Sequence, residues 1–176
     1  DGRAGLLLEH FLAVEPLHLR VVALLFGRQV LLLARGQLLV AGVLGDAQVV
    51  EVVLRPNSEA NCDKLVKAAV DKFGRLDILV VASGINKNGK IVDQPAADFL
   101  DVMDANVTQS WLMARATGKQ MLAQGQEGTP GGKIILMSSA RGLLGHPGGY
   151  SAYCASKSAV DGITKALGCE WGATGI

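Results

Sequence analysis

An α/β domain built as a doubly wound parallel sheet is what this sequence predicts, and three observations carry the prediction. Two short apolar runs, at 76–82 and 133–137, have the length and composition of buried strands. Between them lies a long stretch, 97–123, whose apolar positions Phe99, Val102, Met103, Val107, Trp111, Leu112, Ala114 and Met121 recur at helical spacing. A second helical pattern begins at Ser151, after a loop studded with Gly and Pro. Strand, helix, strand, helix at these lengths is the order that gives parallel strands joined by helical crossovers.

The chain opens on a segment that reads unlike the rest. Residues 1–56 hold fifteen Leu and ten Val but no Ile, Met, Ser, Thr, Lys, Asn, Cys, Tyr or Trp, and every one of those types occurs from Asn57 onward. The segment is therefore expected to be a mis-assigned exon, a shifted frame or an antisense reading joined to a genuine fragment. The competing expectation is a divergent, Leu-rich first half that still folds as β-α-β. Short strands are expected at 21–26, 29–34, 37–43 and 48–54. The apolar runs are broken by Arg28 and Arg35 and fall far short of the roughly 20 residues that span a membrane. Asp1 and Glu9 flank the first run where a signal peptide would be basic.

From Asn57 the pattern is regular. Asn57 or Ser58 caps a helix with apolar positions Leu65, Val66, Ala69, Val70 and Phe73, and Gly74 stops it. The first strand follows and ends at Val81-Ala82-Ser83-Gly84. Gly84 is either a turn glycine or a place of close backbone approach to a ligand. The loop 85–90 is polar, and Lys87 and Lys90 are expected in solvent. Asn106 sits inside the long helix, where Asn is disfavoured unless its amide has a partner. Residues 124–132 are expected as a flexible loop.

Chemistry is legible where Tyr153 and Lys157 stand four apart on the last helix, so that both lie on one face. A phenol ordinarily titrates near 10 and is a poor proton carrier at neutral pH unless a nearby cation favours its phenolate. Lys157 is placed to be that cation. Ser139, at the carboxyl end of the second strand, sits where open α/β sheets bind ligands and could hold a substrate oxygen beside the phenol. Tyr150 has Cys154, not a lysine, four residues on, and is expected on the substrate side with His146.

The order of strand, Ser138-Ser139, glycine loop, Tyr-Cys-Ala-Ser-Lys-Ser-Ala-Val and Glu170-Trp171-Gly172 resembles the short-chain dehydrogenase/reductase family over residues 57–176. That resemblance implies a Rossmann-type fold, NAD or NADP as cofactor, and hydride transfer between the nicotinamide and a secondary alcohol or ketone. It implies Tyr153 as acid/base and Lys157 lowering its pKa while holding the nicotinamide ribose. Ser139 would orient the substrate oxygen, and Asn106 would place a water in a proton relay. Gly84 is carried over as a cofactor-side residue. The family's chains are longer, so this one is expected to be cut at its carboxyl end. Its glycines at 2, 5, 27, 36, 42 and 45 never give the Gly-rich diphosphate turn, and Arg55 stands where the family has an acidic residue near the adenine. An inactive fragment of the family, lacking a dinucleotide cradle, is the alternative.

A net charge of +1 gives no electrostatic reason to expect nucleic acid or a membrane as partner. The three cysteines, Cys62, Cys154 and Cys169, lack metal-ligand spacing, and no metal is expected. Their odd number argues against a disulfide framework, so a reducing cytoplasm is expected. The expected partners are a small-molecule substrate and, through the helices bearing Asn106 and Tyr153, a second copy of the chain.

Overall fold

The computed structural model describes residues 22–26, 29–33, 49–125 and 131–176, with side chains from residue 52 onward. Five strands form one sheet: β1 (Val22–Phe26), β2 (Gln29–Leu33), β3 (Val49–Glu51), β4 (Ile78–Val81) and β5 (Lys133–Leu136), in the order β3-β2-β1-β4-β5. The expected strands at 21–26, 29–34 and 48–54 correspond to the first three, whereas 37–43 lies outside the described residues.

β4 and β5 pair in parallel, Ile78 with Lys133 through Val81 with Leu136, as the helical stretch between them requires. β2 and β3 are parallel too. β1, however, runs antiparallel to both neighbours, with Val22 opposite Val81 and Leu25 opposite Ile78. Only the short 27–28 link separates β1 from β2, and two residues can join strands only as an antiparallel hairpin. The carboxyl end of β1 therefore lies at the amino end of β4.

Helix α1 (Glu59–Phe73) begins where Ser58 Oγ accepts the Asn61 amide at 3.2 Å and stops at Gly74, which takes the left-handed conformation (φ 81°) and donates its N–H to Val70. Its buried residues Cys62, Leu65, Val66 and Ala69 follow helical spacing and pack on Leu79, Val81, Leu112, Met113, Ala116 and Met121. Each fully buried leucine of this core contributes about 2 kcal/mol. Burial also pushes the Cys62 thiol up to about 11, with Asp63 and Glu59 adding to the effect.

The long helix is one run from Ala96 to Gly125 in three parts: α2 (Ala96–Met103), a π-turn (Asp104–Thr108) and α3 (Gln109–Gly125). In the π-turn the Gln109 N–H reaches back five residues to the Asp104 carbonyl. α3 extends past the expected end because buried Gln124 has partners. Its amide donates to the Leu76 carbonyl (2.8 Å) and accepts the Leu76 N–H (2.9 Å), so it closes the backbone ahead of β4 like an added ladder pair. Gln124 thus belongs to the helix and not to a flexible loop; 126–130 lie outside the described residues.

β4 is covered unevenly. Leu79 and Val81 are buried beneath the helices, while Ile78 and Val80 are half-buried, and Ile135 and Met137 along β5 are exposed. Burial of β4 is thus one-sided among the described residues, because α1 and α3 share one face. The last helix, α4 (Ser151–Trp171), lies beside α2 and the π-turn. No helix among the described residues is long and apolar enough to cross a membrane.

Candidate active site

Parallel pairing puts the carboxyl ends of β4 and β5 side by side, and the residues that follow them receive the two helices. After β4 the chain passes Ser83 and Gly84 and runs into the 85–95 loop. Lys87 pins this loop, since its Nζ lies 2.7 Å from both Asp98 and Asp101 of α2, and Gln94 donates to the Lys87 carbonyl. Lys87, expected in solvent, is an anchor because two aspartates one helical turn apart face it.

Asn106, in the middle of the π-turn, is 1 % exposed. Its Oδ1 accepts the Ile85 N–H at 2.7 Å, while its Nδ2 donates to the Ile85 carbonyl and to Ser156 Oγ, both at 2.9 Å. Both amide hydrogens are spent. A water could reach only the second lone pair of Oδ1 or the main-chain carbonyl, which already accepts Ser110 Oγ at 2.7 Å. The Asn that helices disfavour is accommodated here because its amide exchanges two hydrogen bonds with the loop beyond β4.

Gly84 lies against this arrangement. A Cβ at Gly84 would sit 3.0 Å from Asn106 Oδ1 and 3.6 Å from Lys157 Nζ, so the site requires the missing side chain. Lys157 is buried and donates to the Met137 carbonyl at 2.7 Å, just beyond β5. Its ammonium lies 5.7 Å from the centre of the Tyr153 ring. Burial pulls its pKa below the usual lysine value, and Asp161, one turn further along α4, partly restores it. Of the three ammonium hydrogens one is committed to Met137 and two remain for a ligand.

The two serines after β5 differ in what their hydroxyls do. Ser138 Oγ donates to the Lys157 carbonyl at 3.3 Å and so is turned onto α4. Ser139 Oγ accepts the Arg141 N–H at 3.2 Å and caps the 3-10 turn Ala140–Gly142. Accepting leaves the Ser139 proton available to a substrate oxygen, whereas Ser138 has given its own away.

The loop from Gly142 to Tyr150 is tied at several points. Arg141 donates to Gly145, Ser158 to Gly142, and the Gly89 N–H to the Gly149 carbonyl. Gly149 has a φ of 77° and lies against the Gly89 backbone, so both conformation and space require glycine there. His146 meets Tyr150 edge-on at 4.4 Å, and Tyr150 meets Tyr153 edge-on at 6.3 Å. Among the described residues no group of three or more His, Cys, Asp or Glu gathers where a metal ion could be held.

The structure thus brings Gly84, Asn106, Tyr153 and Lys157 together at one end of the sheet, with Ser139 beside β5. It adds Ser156 and the Met137 carbonyl, which the sequence reading passed over. Ser156 stood at i+3 from Tyr153, a spacing that could have flagged it. A main-chain carbonyl leaves no trace in sequence.

The chain is similar to known proteins in both sequence and fold. The family model described as short chain dehydrogenase matches residues 27–176. The chain belongs to the short-chain dehydrogenase family. It is 48 % identical over 125 residues to an uncharacterized oxidoreductase of Mycobacterium tuberculosis, covering 71 % of this chain and 45 % of that one. A 3-oxoacyl-[acyl-carrier-protein] reductase of Synechocystis is 35 % identical over 114 residues, covering 65 % of this chain and 44 % of the reductase. Among solved structures, a short-chain type dehydrogenase/reductase from Mycobacterium marinum superposes with a TM-score of 0.71 at 30 % identity, over 78 % of this chain and 52 % of that one. The chain spans about half the length of the relatives it matches. The family match begins at Gly27, ahead of Asn57, where the motif resemblance begins.

In this short-chain dehydrogenase the cysteines Cys62, Cys154 and Cys169 are all free thiols.

Proposed function

We propose that residues 57–176 form the catalytic half of an NAD- or NADP-dependent oxidoreductase that interconverts a secondary alcohol and a ketone. The observation that carries this is Lys157, which is buried, holds one donor on Met137 and lies beside the Tyr153 ring. The residues fit a nicotinamide ribose: Lys157 keeps two donors for a diol, and the missing Cβ of Gly84 lets the backbone approach Asn106 and Lys157 closely. The nicotinamide, when bound, takes or supplies the hydride at the substrate carbon. Tyr153 takes the hydroxyl proton in oxidation and returns it to the carbonyl oxygen in reduction. Lys157 places a cation beside this phenol, 5.7 Å from its ring centre. Ser139 donates to the substrate oxygen. Asn106 holds the Ile85 loop, and a relay water would meet its main-chain carbonyl or Oδ1. The substrate is a small molecule, and His146 and Tyr150 flank its approach.

A second reading, that this polypeptide is an inactive fragment of the family, is favoured by a specific observation. The carboxyl end of β1 lies at the amino end of β4, at the sheet edge away from Gly84, so β1 does not run toward Lys157 as a strand leading into a diphosphate-binding turn would. With residues 1–56 foreign to the family's first β-α-β unit, the chain would keep the catalytic groups without holding the cofactor. The family match from Gly27 speaks instead for a divergent first half. Self-association through α2, α3 and α4 is supported by exposed Phe99, Leu100 and Trp111, and a cytoplasmic setting by the free cysteines.

Calorimetric titration of the whole chain with NADH and NADPH, followed by a ketone-reduction assay, decides between the two. A badly positioned reactant forfeits on the order of 7 kcal/mol of barrier reduction, so the fragment reading expects no measurable turnover. Micromolar binding with turnover abolished in Tyr153→Phe establishes the enzyme. Transcript sequencing across the codons for Pro56 and Asn57 tests the origin of the first half, and a continuous in-frame transcript would remove the foreign-segment reading.

A further inference from the structure

The hydroxyl of Ser156 is fully buried and makes two hydrogen bonds that join separate parts of the site. It accepts from Asn106 Nδ2 at 2.9 Å and donates to the Tyr153 carbonyl at 2.8 Å. Asn106 in turn holds both backbone groups of Ile85. A continuous chain of four hydrogen bonds therefore runs from the loop beyond β4, through the π-turn, to the first turns of α4. On either side of Ser156 stand the groups that need fixed spacing: Gly84, which lies against Asn106 and Lys157, and Lys157 itself, the next residue on α4.

We propose that Ser156 is a positioning residue, whose hydroxyl clasps the π-turn to the helical turn bearing Tyr153 and Lys157 and so fixes the gap in which cofactor and substrate meet. Its functional meaning rests on the reading of Tyr153 as acid/base. The clasp itself is a statement about geometry. Without the hydroxyl, one Asn106 amide hydrogen is left buried and unpaired, a cost that favours reorientation of the whole amide. Ile85 would then lose its partner although it is 71 residues away in sequence. Threonine should substitute, because in a helix its Oγ1 can bond a carbonyl three or four residues back, the bond Ser156 makes to Tyr153.

The test is amide hydrogen exchange by NMR on the whole chain, which requires no cofactor. The Ile85 amide is read against Leu65 and Ala69 in the core of α1. In Ser156→Ala the Ile85 amide is expected to exchange about tenfold faster while the α1 amides stay within about twofold, and Ser156→Thr is expected to restore Ile85. Unchanged Ile85 exchange overturns the clasp. Equal acceleration of Ile85 and α1 also overturns it, since that marks a general loss of stability. If Ser156→Ala does not fold, Ser156→Cys replaces it: the thiol is a weak donor and acceptor, so faster Ile85 exchange is expected, and wild-type exchange overturns the proposal. Turnover in Tyr153→Phe tests the acid/base reading separately, so failure of one is distinguishable from failure of the other.

Discussion

The two halves of α4 are held in different ways. From Ser151 to Val160 the helix buries Ala152, Ser156, Lys157 and Val160, and its polar groups reach fixed points: Ser156 on Asn106, Lys157 on Met137, with Ser138 closing onto the Lys157 carbonyl. Beyond Val160 no residue of the helix is buried. Gly162 and Gly168 have open space around them, and the far end is held by Trp171, whose ring covers Gly118 of α3. The site half is thus fixed by directed hydrogen bonds in a low-dielectric setting, where each lost partner is costly. The distal half buries no residue fully, and at its far end the Trp171 ring lies over Gly118.

The largest effect that sharpens this contrast lies in the alkaline range. Lys157 has a folded pKa below its ordinary 10.5 because of burial, so the unfolded chain binds more protons and the lysine's contribution to stability rises with pH toward 10.5. Cys62 has the opposite sign. Its thiol moves from 9.0 to about 11 on folding, so stability is lost as pH climbs through that window, by about 3 kcal/mol at most. Urea unfolding between pH 8 and 11 should therefore show a steeper loss in Lys157→Met and a net gain in Cys62→Ala, each relative to the unaltered chain (pH limits on the order of these pKa values). A Lys157→Met profile parallel to the unaltered one would mean that the ammonium is not desolvated.

The next effect breaks the distal anchor. A Cβ at Gly118 would run into the Trp171 ring, so Gly118→Ala must displace the indole, at a cost of about 2 kcal/mol. In a Trp111→Phe background the Trp171 emission should shift to the red, while Ile85 exchange stays as before. A blue or unmoved spectrum would show that the ring does not rest on Gly118.

The smallest effect is a gain. Gly162→Ala and Gly168→Ala add a methyl group where nothing lies within 4 Å, and replace the poorest ordinary helix former by the best. Each should stabilise by about 0.5–1 kcal/mol, measured as a shift in urea midpoint at constant slope. A loss at either site would reveal a neighbour packed on that half of α4.

Much of the site was legible because helical spacing is local information. Tyr153 and Lys157 share a face for any helix through them, and Ser58 and Gly74 mark their helix ends through backbone rules that hold in isolation. Asn106 stood out as a misfit in an apolar helix. Its partners, Ile85 and Ser156, did not, since they lie 21 and 50 residues away and meet it only after the crossover closes. Lys87 and Gln124 were misread for the same reason: a polar residue in a polar stretch reads as solvated until the carboxylates or the main chain that it faces are in place.

The sequence alone determined the helices from Asn57 onward, the β4–β5 crossover and the side-chain types at the site, because periodicity, caps and strand composition are set within a few residues. Tertiary structure decided the rest. The pairing of β1 with β4, Val22 opposite Val81, joins strands far apart in the chain, and buried Asn106 in the π-turn finds its partners at Ile85 and Ser156. Which of Ser138 and Ser139 keeps its proton depends on which one α4 lies against. Each of these is settled by contacts between segments distant in the chain, where hydrogen-bond partners and excluded volume, not local preference, set the free energy.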